Sequence, residues 1–143
     1  MENYLEMKFL SIPENVSFSR STVSAFCLSL DPSVEELNDV KTAVSEAVTN
    51  SIVHGYENRK TKIIEITAKC EKNSVEILIV DHGVGIPDVK RAMEPFFTTK
   101  PNEERSGMGF TIMQTFMDEV AVDSKDGETR VKLLKRFKGN DNV

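Results

Sequence analysis

The chain has no tryptophan, only two cysteines and two histidines, and no apolar run long enough to cross a bilayer. Each absence excludes something. Cys27 and Cys70 lie far apart, with no second cysteine or histidine beside either, so a zinc-type ligand spacing is missing and both read as buried thiols. The opening segment MENYLEMKF lacks a basic n-region and a continuous apolar h-region, so no secretory signal is visible and a cytoplasmic location without membrane attachment is expected. A positive charge excess is also missing. The formal net charge is −5, which argues against a direct nucleic-acid surface, because phosphate binding needs a basic footprint. The one locally basic stretch, Lys132 to Lys138, alternates with apolar residues and reads as a solvated strand face. No internal repeat or low-complexity linker interrupts the chain. What is present is 143 residues, 39% hydrophobic and 29% charged, enough for one domain over 1–143 with its own core.

Residues 4–12 alternate polar and apolar and predict a first strand. Pro13 suits the opening of a helix that runs to about Leu30 and stops at Asp31-Pro32. Ser33 followed by Glu36 is a capping-box pattern, and Leu37, Val40, Val44, Ala47 and Val48 supply the apolar stripe of a second helix reaching His54, with Gly55 closing it. Ile63 to Lys69 and Val75 to Val80 read as an antiparallel hairpin. A long loop follows from Asp81 to about Ser106, with a short helix near Val89 to Met93. Helical pattern resumes from Gly107 to about Asp118, before strands at about 119–124 and 129–137. This order predicts an α/β (α+β) two-layer sandwich, one layer of helices on one sheet.

Three places carry chemistry. On the second helix Glu46, Asn50 and His54 recur every four residues and stack along one side, away from the apolar stripe; a solvated polar face would read the same way. Asp81-His82-Gly83-Val84-Gly85-Ile86-Pro87 puts an acid and two glycines at a strand's end. There a carboxylate can accept a hydrogen bond from an exocyclic amine, and glycine lets the backbone approach a flat ring. Pro87 and the lack of a third glycine exclude a dinucleotide fingerprint. Arg105-Ser106-Gly107-Met108-Gly109-Phe110 places glycines at a helix start, where free N–H groups attract phosphate; no Gly-Lys-Ser/Thr follows, so a Walker loop is excluded. Met108, Met113 and Met117 read as core, and His54 and His82 as local structural residues.

In order and spacing, Glu46 to Gly55, Asp81 to Gly85 and Gly107 to Phe110 resemble the N-box and the two glycine boxes of the GHKL ATPases, the superfamily of gyrase, chaperone and histidine-kinase ATPases. The segments Pro95 to Pro101 and Arg105 to Met113 are similar to those of its small anti-sigma serine kinases, and the similarity covers nearly the whole chain. The resemblance implies a Bergerat-type ATP-binding fold with helices on one face of a mixed sheet. It implies that Asp81 holds the adenine amino group with Gly83, Gly85 and Ile86 beside it, that Asn50 ligates Mg²⁺, and that Glu46 is the catalytic base. Thr98, Thr99 and Lys100 would lie on a lid, Lys100 and Arg105 would neutralise phosphate charge with Arg105 at the catalytic centre, and Ser106 to Phe110 would cradle phosphates. The family often has Gly-Thr before its last strand where this chain has Gly127-Glu128-Thr129, so Thr129 as an adenine contact stays open.

The implied activity is ATP-dependent serine phosphorylation of an anti-anti-sigma protein by a homodimer that also binds a sigma factor of the sporulation sigma-F type, with ATP or ADP and Mg²⁺ as cofactors. A stress-response kinase of the same chemistry and a nucleotide-gated binding module without turnover are the alternatives; the presence of Glu46 favours chemistry. A sensor histidine kinase lacks its phosphoacceptor here, since His54 and His82 both fall inside the boxes. Arg20, set among Ser19, Ser21 and Thr22, is either a solvated side chain or part of a docking or dimer face.

Overall fold

The computed structural model describes residues 2–94, 108–125 and 127–139. Strand β1 (Asn3–Leu10) turns Leu5, Met7 and Phe9 inward and Tyr4, Lys8 and Leu10 outward, as alternation requires. Helix α1 (Glu14–Cys27) starts after Pro13 and tightens into a 3₁₀ turn over Leu28–Leu30, ending at Asp31. Helix α2 (Val34–Asn50) opens on the expected capping box: Ser33 Oγ accepts from Glu36 N at 3.1 Å, and Glu36 Oε1 accepts from Ser33 N at 2.9 Å. Strands β2 (Ile63–Glu71) and β3 (Ser74–Asp81) form the hairpin, and the short α3 (Val89–Ala92) is capped by Asp88. Helix α4 (Gly109–Phe116) leads into β4 (Glu119–Lys125) and β5 (Glu128–Arg136).

The sheet order is β1-β2-β3-β5-β4. Among the described residues the sheet is not mixed as expected: each pairing is antiparallel. Strands β3 and β4 do run the same way, as a strand–helix–strand crossover makes them, but β5 folds back from β4 and inserts between the two. Helices α1, α2 and α4 cover one face, where Val23, Val40, Val44, Val48, Ile66, Ile79, Met113 and Leu133 are fully buried. Cys27 and Cys70 lie in the same core as free thiols, and burial, followed by the neighbouring Cys70, pushes the Cys27 thiol up to about 12. The opposite face carries ion pairs such as Lys8–Glu65 at 3.5 Å and Lys132–Glu76 at 3.3 Å, whose exposure leaves each little stabilising effect.

Two expectations change in detail. The basic stretch is solvated at Lys132 and Arg136, but Lys135 faces the helices: Nζ donates to Asp39 Oδ2 at 3.0 Å and to the Phe116 carbonyl at 2.7 Å. Alternation alone put it on that side, and the carboxylate on α2 makes its burial tolerable. The second helix does not run as an α-helix to His54 with Gly55 as a left-handed cap. After Asn50 it widens into a π turn over Ser51–Gly55, closed by Tyr56 N donating to the Ser51 carbonyl at 2.8 Å, and Gly55 has no positive φ.

Candidate functional site

Asp81 is the last residue of β3 and is 3% exposed. Its carboxylate accepts from the Ser51 hydroxyl and from Gly83 N at 3.0 Å. Burial pushes this carboxyl above its ordinary value, against the pull of the Ser51 and Gly83 bonds and the His82 charge. A carboxylate offers about four acceptor positions, so these donors leave capacity for an incoming amine.

The π turn is what brings Ser51 and Gly55 to Asp81. A Cβ on Gly55 would stand 2.7 Å from Asp81 Oδ1, so only glycine admits the carboxylate there. A Cβ on Gly83 would lie 2.0 Å from the Gly55 carbonyl oxygen, the same carbonyl that accepts from Val84 N at 2.9 Å. Gly85 has φ +80, and Ile86 N donates to Ser124 Oγ at 2.6 Å. Ser124 Oγ lies 2.9 Å from Thr129 Oγ1, and Thr129, 6% exposed, stands directly opposite Asp81 in the β3–β5 register. The residue left open in the sequence thus sits beside the acid.

One helical turn before the π segment, Glu46 and Asn50 lie half-buried on one flank of α2, with Glu46 Oε2 shielded from solvent. The N-terminus of α4 abuts this flank: a Cβ on Gly109 would lie 2.8 Å from Asn50 Nδ2 and 3.1 Å from Oδ1. The start of α4 is thus packed closely against the Asn50 amide, and free N–H groups at a helix start suit a phosphate. Met108 caps α4 and is half-buried, whereas the Phe110 side chain packs into the core, so any phosphate contact from Phe110 is through its backbone. Met113 and Met117 are core, as expected, whereas Met108, also expected there, is not in the core. Thr98, Thr99, Lys100, Arg105, Ser106 and Gly107 lie outside the described residues.

Among the described residues no cluster of three or more His, Cys, Asp or Glu side chains could hold a metal. His82 is half exposed, 4.0 Å from Glu65 and 3.8 Å from Glu128. A cation in this site would depend on the Asn50 oxygen and on ligand phosphates, which fits Mg²⁺, an ion that takes few protein oxygens and keeps its waters. Arg20 Nη1 lies 3.4 Å from Ser45 Oγ, and with Lys41, Thr42 and Glu46 it lines an open groove between α1 and α2.

Residues 9–135 match the histidine kinase-like ATPase domain. The chain belongs to that family. Within the family it is 52% identical over 137 residues to an anti-sigma F factor of Clostridium beijerinckii, covering 95% of this chain and 96% of the relative. It is 55% identical over 134 residues to an anti-sigma F factor of Caldanaerobacter subterraneus, covering 93% of each. Among solved structures, the RsbU and RsbW domains of a Mycobacterium tuberculosis protein superpose with a TM-score of 0.67 at 15% identity, covering 94% of this chain and 32% of that one. The catalytic domain of the histidine kinase ThkA superposes with a TM-score of 0.59 at 15% identity, covering 94% and 96%. These two likenesses speak to the fold of the family.

Ser51 and Ser124 are residues of the candidate site that the sequence does not single out, whereas Gly55 falls in the first box and its contact with Asp81 replaces the helix-closing role read for it. Ser51 and Ser124 carry no local signature, since one depends on the π turn and the other on a cross-strand neighbour.

Proposed function

We propose that this chain binds ATP with Mg²⁺ and acts as an anti-sigma factor that phosphorylates a serine of its anti-anti-sigma antagonist. The observation that carries the reading is the run from Glu46 to Gly55: one continuous segment holds a carboxylate and an amide on its flank and packs its end against a buried acceptor, Asp81. Asp81 accepts the exocyclic amine of adenine, and Thr129 and Ile86 border the base. Asn50 contributes its amide oxygen to Mg²⁺, which when bound offsets charge on the phosphates. The α4 N-terminus holds phosphate oxygens by its N–H groups. Glu46, one turn from Asn50, orients the incoming serine hydroxyl and takes its proton at a carboxylate oxygen; positioning supplies most of the remaining acceleration. Lys100, Arg105, Thr98, Thr99, Ser106 and Gly107 complete the phosphate side in this reading.

The near-full-length likeness to anti-sigma F factors supports a sigma factor of that type as the bound partner. The protein works in the cytoplasm as a homodimer, without direct nucleic-acid or membrane contact. Incubation with Mg²⁺, γ-labelled ATP and the anti-anti-sigma protein should give serine-linked label, and sigma-F should co-purify in ATP. Tight ATP binding without label transfer would favour a nucleotide-gated binding module, and capture of a stress-response sigma factor instead would reassign the partner. The groove beside Glu46 is where a protein partner docks, so Arg20→Glu should weaken partner capture and leave ATP affinity unchanged; unaltered capture would remove Arg20 from that surface.

A further inference from the structure

Tyr56 is 2% exposed, so its hydroxyl is carried into the interior and needs partners there. It has two: the hydroxyl donates to the Ile63 carbonyl at 2.5 Å and accepts from His82 N at 2.7 Å. The β2–β3 register pairs Ile64 with Asp81, and one step further it would bring Ile63 opposite His82. At that step the tyrosine hydroxyl stands between the two backbone groups. An N–H to O–H to C=O relay takes the place of a direct ladder bond, and both strands end there. Beyond the relay the chain leaves the sheet toward the π turn: Gly83 N returns to Asp81 Oδ1 at 3.0 Å and Val84 N reaches the Gly55 carbonyl at 2.9 Å. Burial pushes the Tyr56 hydroxyl above its ordinary value, so it stays protonated and keeps its donor role at neutral pH.

We propose that Tyr56 is a positioning residue for nucleobase recognition: its hydroxyl, inserted between Ile63 and His82, sets the point at which the chain leaves β3 and thereby aims the Asp81 carboxylate at the base amine. The proposal rests on the reading of Asp81 as the acceptor for that amine. Tyr56 touches the protein and not the ligand. Without the hydroxyl, the His82 N–H and the Ile63 carbonyl either close on one another, extending the ladder past Asp81, or stay unsatisfied in the interior. Both outcomes move the carboxylate, and hydrogen bonds weaken steeply with misalignment. The ring itself keeps its packing in Tyr56→Phe.

The test is a cycle between this residue and one ligand group. Calorimetric Kd values are measured on the full chain and on Tyr56→Phe, for ATP and for purine riboside triphosphate, which lacks the 6-amino group. The parent should prefer ATP about tenfold, and Tyr56→Phe should lose most of that preference while binding the deamino analogue within about twofold of the parent, the scale of one hydrogen bond. In serine transfer, KM for ATP should rise and kcat at saturating ATP should hold. Equal loss for both nucleotides, or unchanged ATP binding, overturns the proposal. If the parent itself binds both nucleotides equally, the base contact of Asp81 falls first and takes this inference with it, an outcome read in the parent alone. Should Tyr56→Phe fail to fold, the parent labelled with 3-fluorotyrosine decides the matter. Its other tyrosine, Tyr4, is exposed, and the Tyr56 fluorine signal should shift more with ATP than with the analogue; identical shifts overturn the proposal.

Discussion

At the Asp81 end of the candidate site the carboxylate is buried and held by a serine hydroxyl and a backbone N–H, with a glycine pressed against it, whereas at the Glu46 end the side chains stand half-buried on the flank of a helix. The first end is assembled from four elements, the π turn, β3, β4 and β5. The second takes its two side chains from α2 and, among the described residues, meets the start of α4 and the Arg20 groove beside α1. A rigid, desolvated acceptor suits recognition of one base, since an unpaired partner there costs the most. A half-buried carboxylate that lines an open groove suits chemistry on another protein's hydroxyl, which must come and go. In the proposed function, recognition and reaction fall to two ends of one continuous segment, and changes at one end should leave the other working.

The largest separation is expected from Glu46→Gln, which should lower serine transfer about a hundredfold or more, the weight of a general base, while leaving the Kd for ATP near that of the parent. Normal transfer by this variant would remove Glu46 from the chemistry. Asp81→Asn is the converse: ATP affinity should fall about ten- to a hundredfold. Folding raises the Asp81 pKa, so the native state binds more protons than the unfolded chain just above the ordinary carboxylate range. Stability from this group therefore falls as pH rises, and the cost is complete above the folded pKa. The nucleotide-free Asp81→Asn protein should accordingly unfold at no lower urea concentration than the parent at pH 7.

Paired glycine substitutions sharpen the comparison. Gly55→Ala forces a methyl against the Asp81 carboxylate, and Gly109→Ala forces one against the Asn50 amide; each should cost about 1–3 kcal/mol in urea unfolding. Their functional effects should differ: a raised KM for ATP with little change in kcat for the first, and a lowered kcat with a higher Mg²⁺ requirement for the second. Identical kinetic signatures would show that the two ends are one unit.

The smallest effect should come from Glu36, outside both ends. Its carboxylate accepts from Lys138 N at 2.7 Å and from Gly139 N at 3.0 Å, besides the capping bond to Ser33 N. Burial pulls its pKa up, but these backbone bonds outweigh that and hold it below its ordinary 4.5. Its contribution is therefore present above the unfolded value and lost as pH falls through the folded one. Glu36→Gln should destabilise by about 1–2 kcal/mol at pH 7, with the difference shrinking in acid, and should leave ATP affinity and transfer unchanged.

Glu46, Asn50, Asp81, Gly83 and Gly85 were legible as candidates because each belongs to a short pattern with fixed spacing, and spacing along a helix or at a strand's end translates directly into a shared face. The helix stripe and the capping box made α2 legible for the same reason. Ser51 and Tyr56 were not, because a π turn changes the angular step by which side chains are counted, and nothing in Ser-Ile-Val-His-Gly announces it. Thr129 beside Asp81 and Ser124 beside Thr129 are matters of cross-strand register, which appears only when the sheet is assembled. The antiparallel sheet escaped for a related reason: the order of elements is the same whether β5 lies outside β4 or inside it.

Strand β1 occupies one edge of the sheet and pairs only with β2, from Asn3 opposite Cys70 to Leu10 opposite Ile63. Both long helices intervene between these partners in the chain. During synthesis the first strand therefore emerges long before anything it can pair with, and it must wait, apolar residues and all, until the β2–β3 hairpin has formed. Closing so long a loop is an entropically expensive, late step. Folding of this protein should begin at the hairpin and end with the docking of β1.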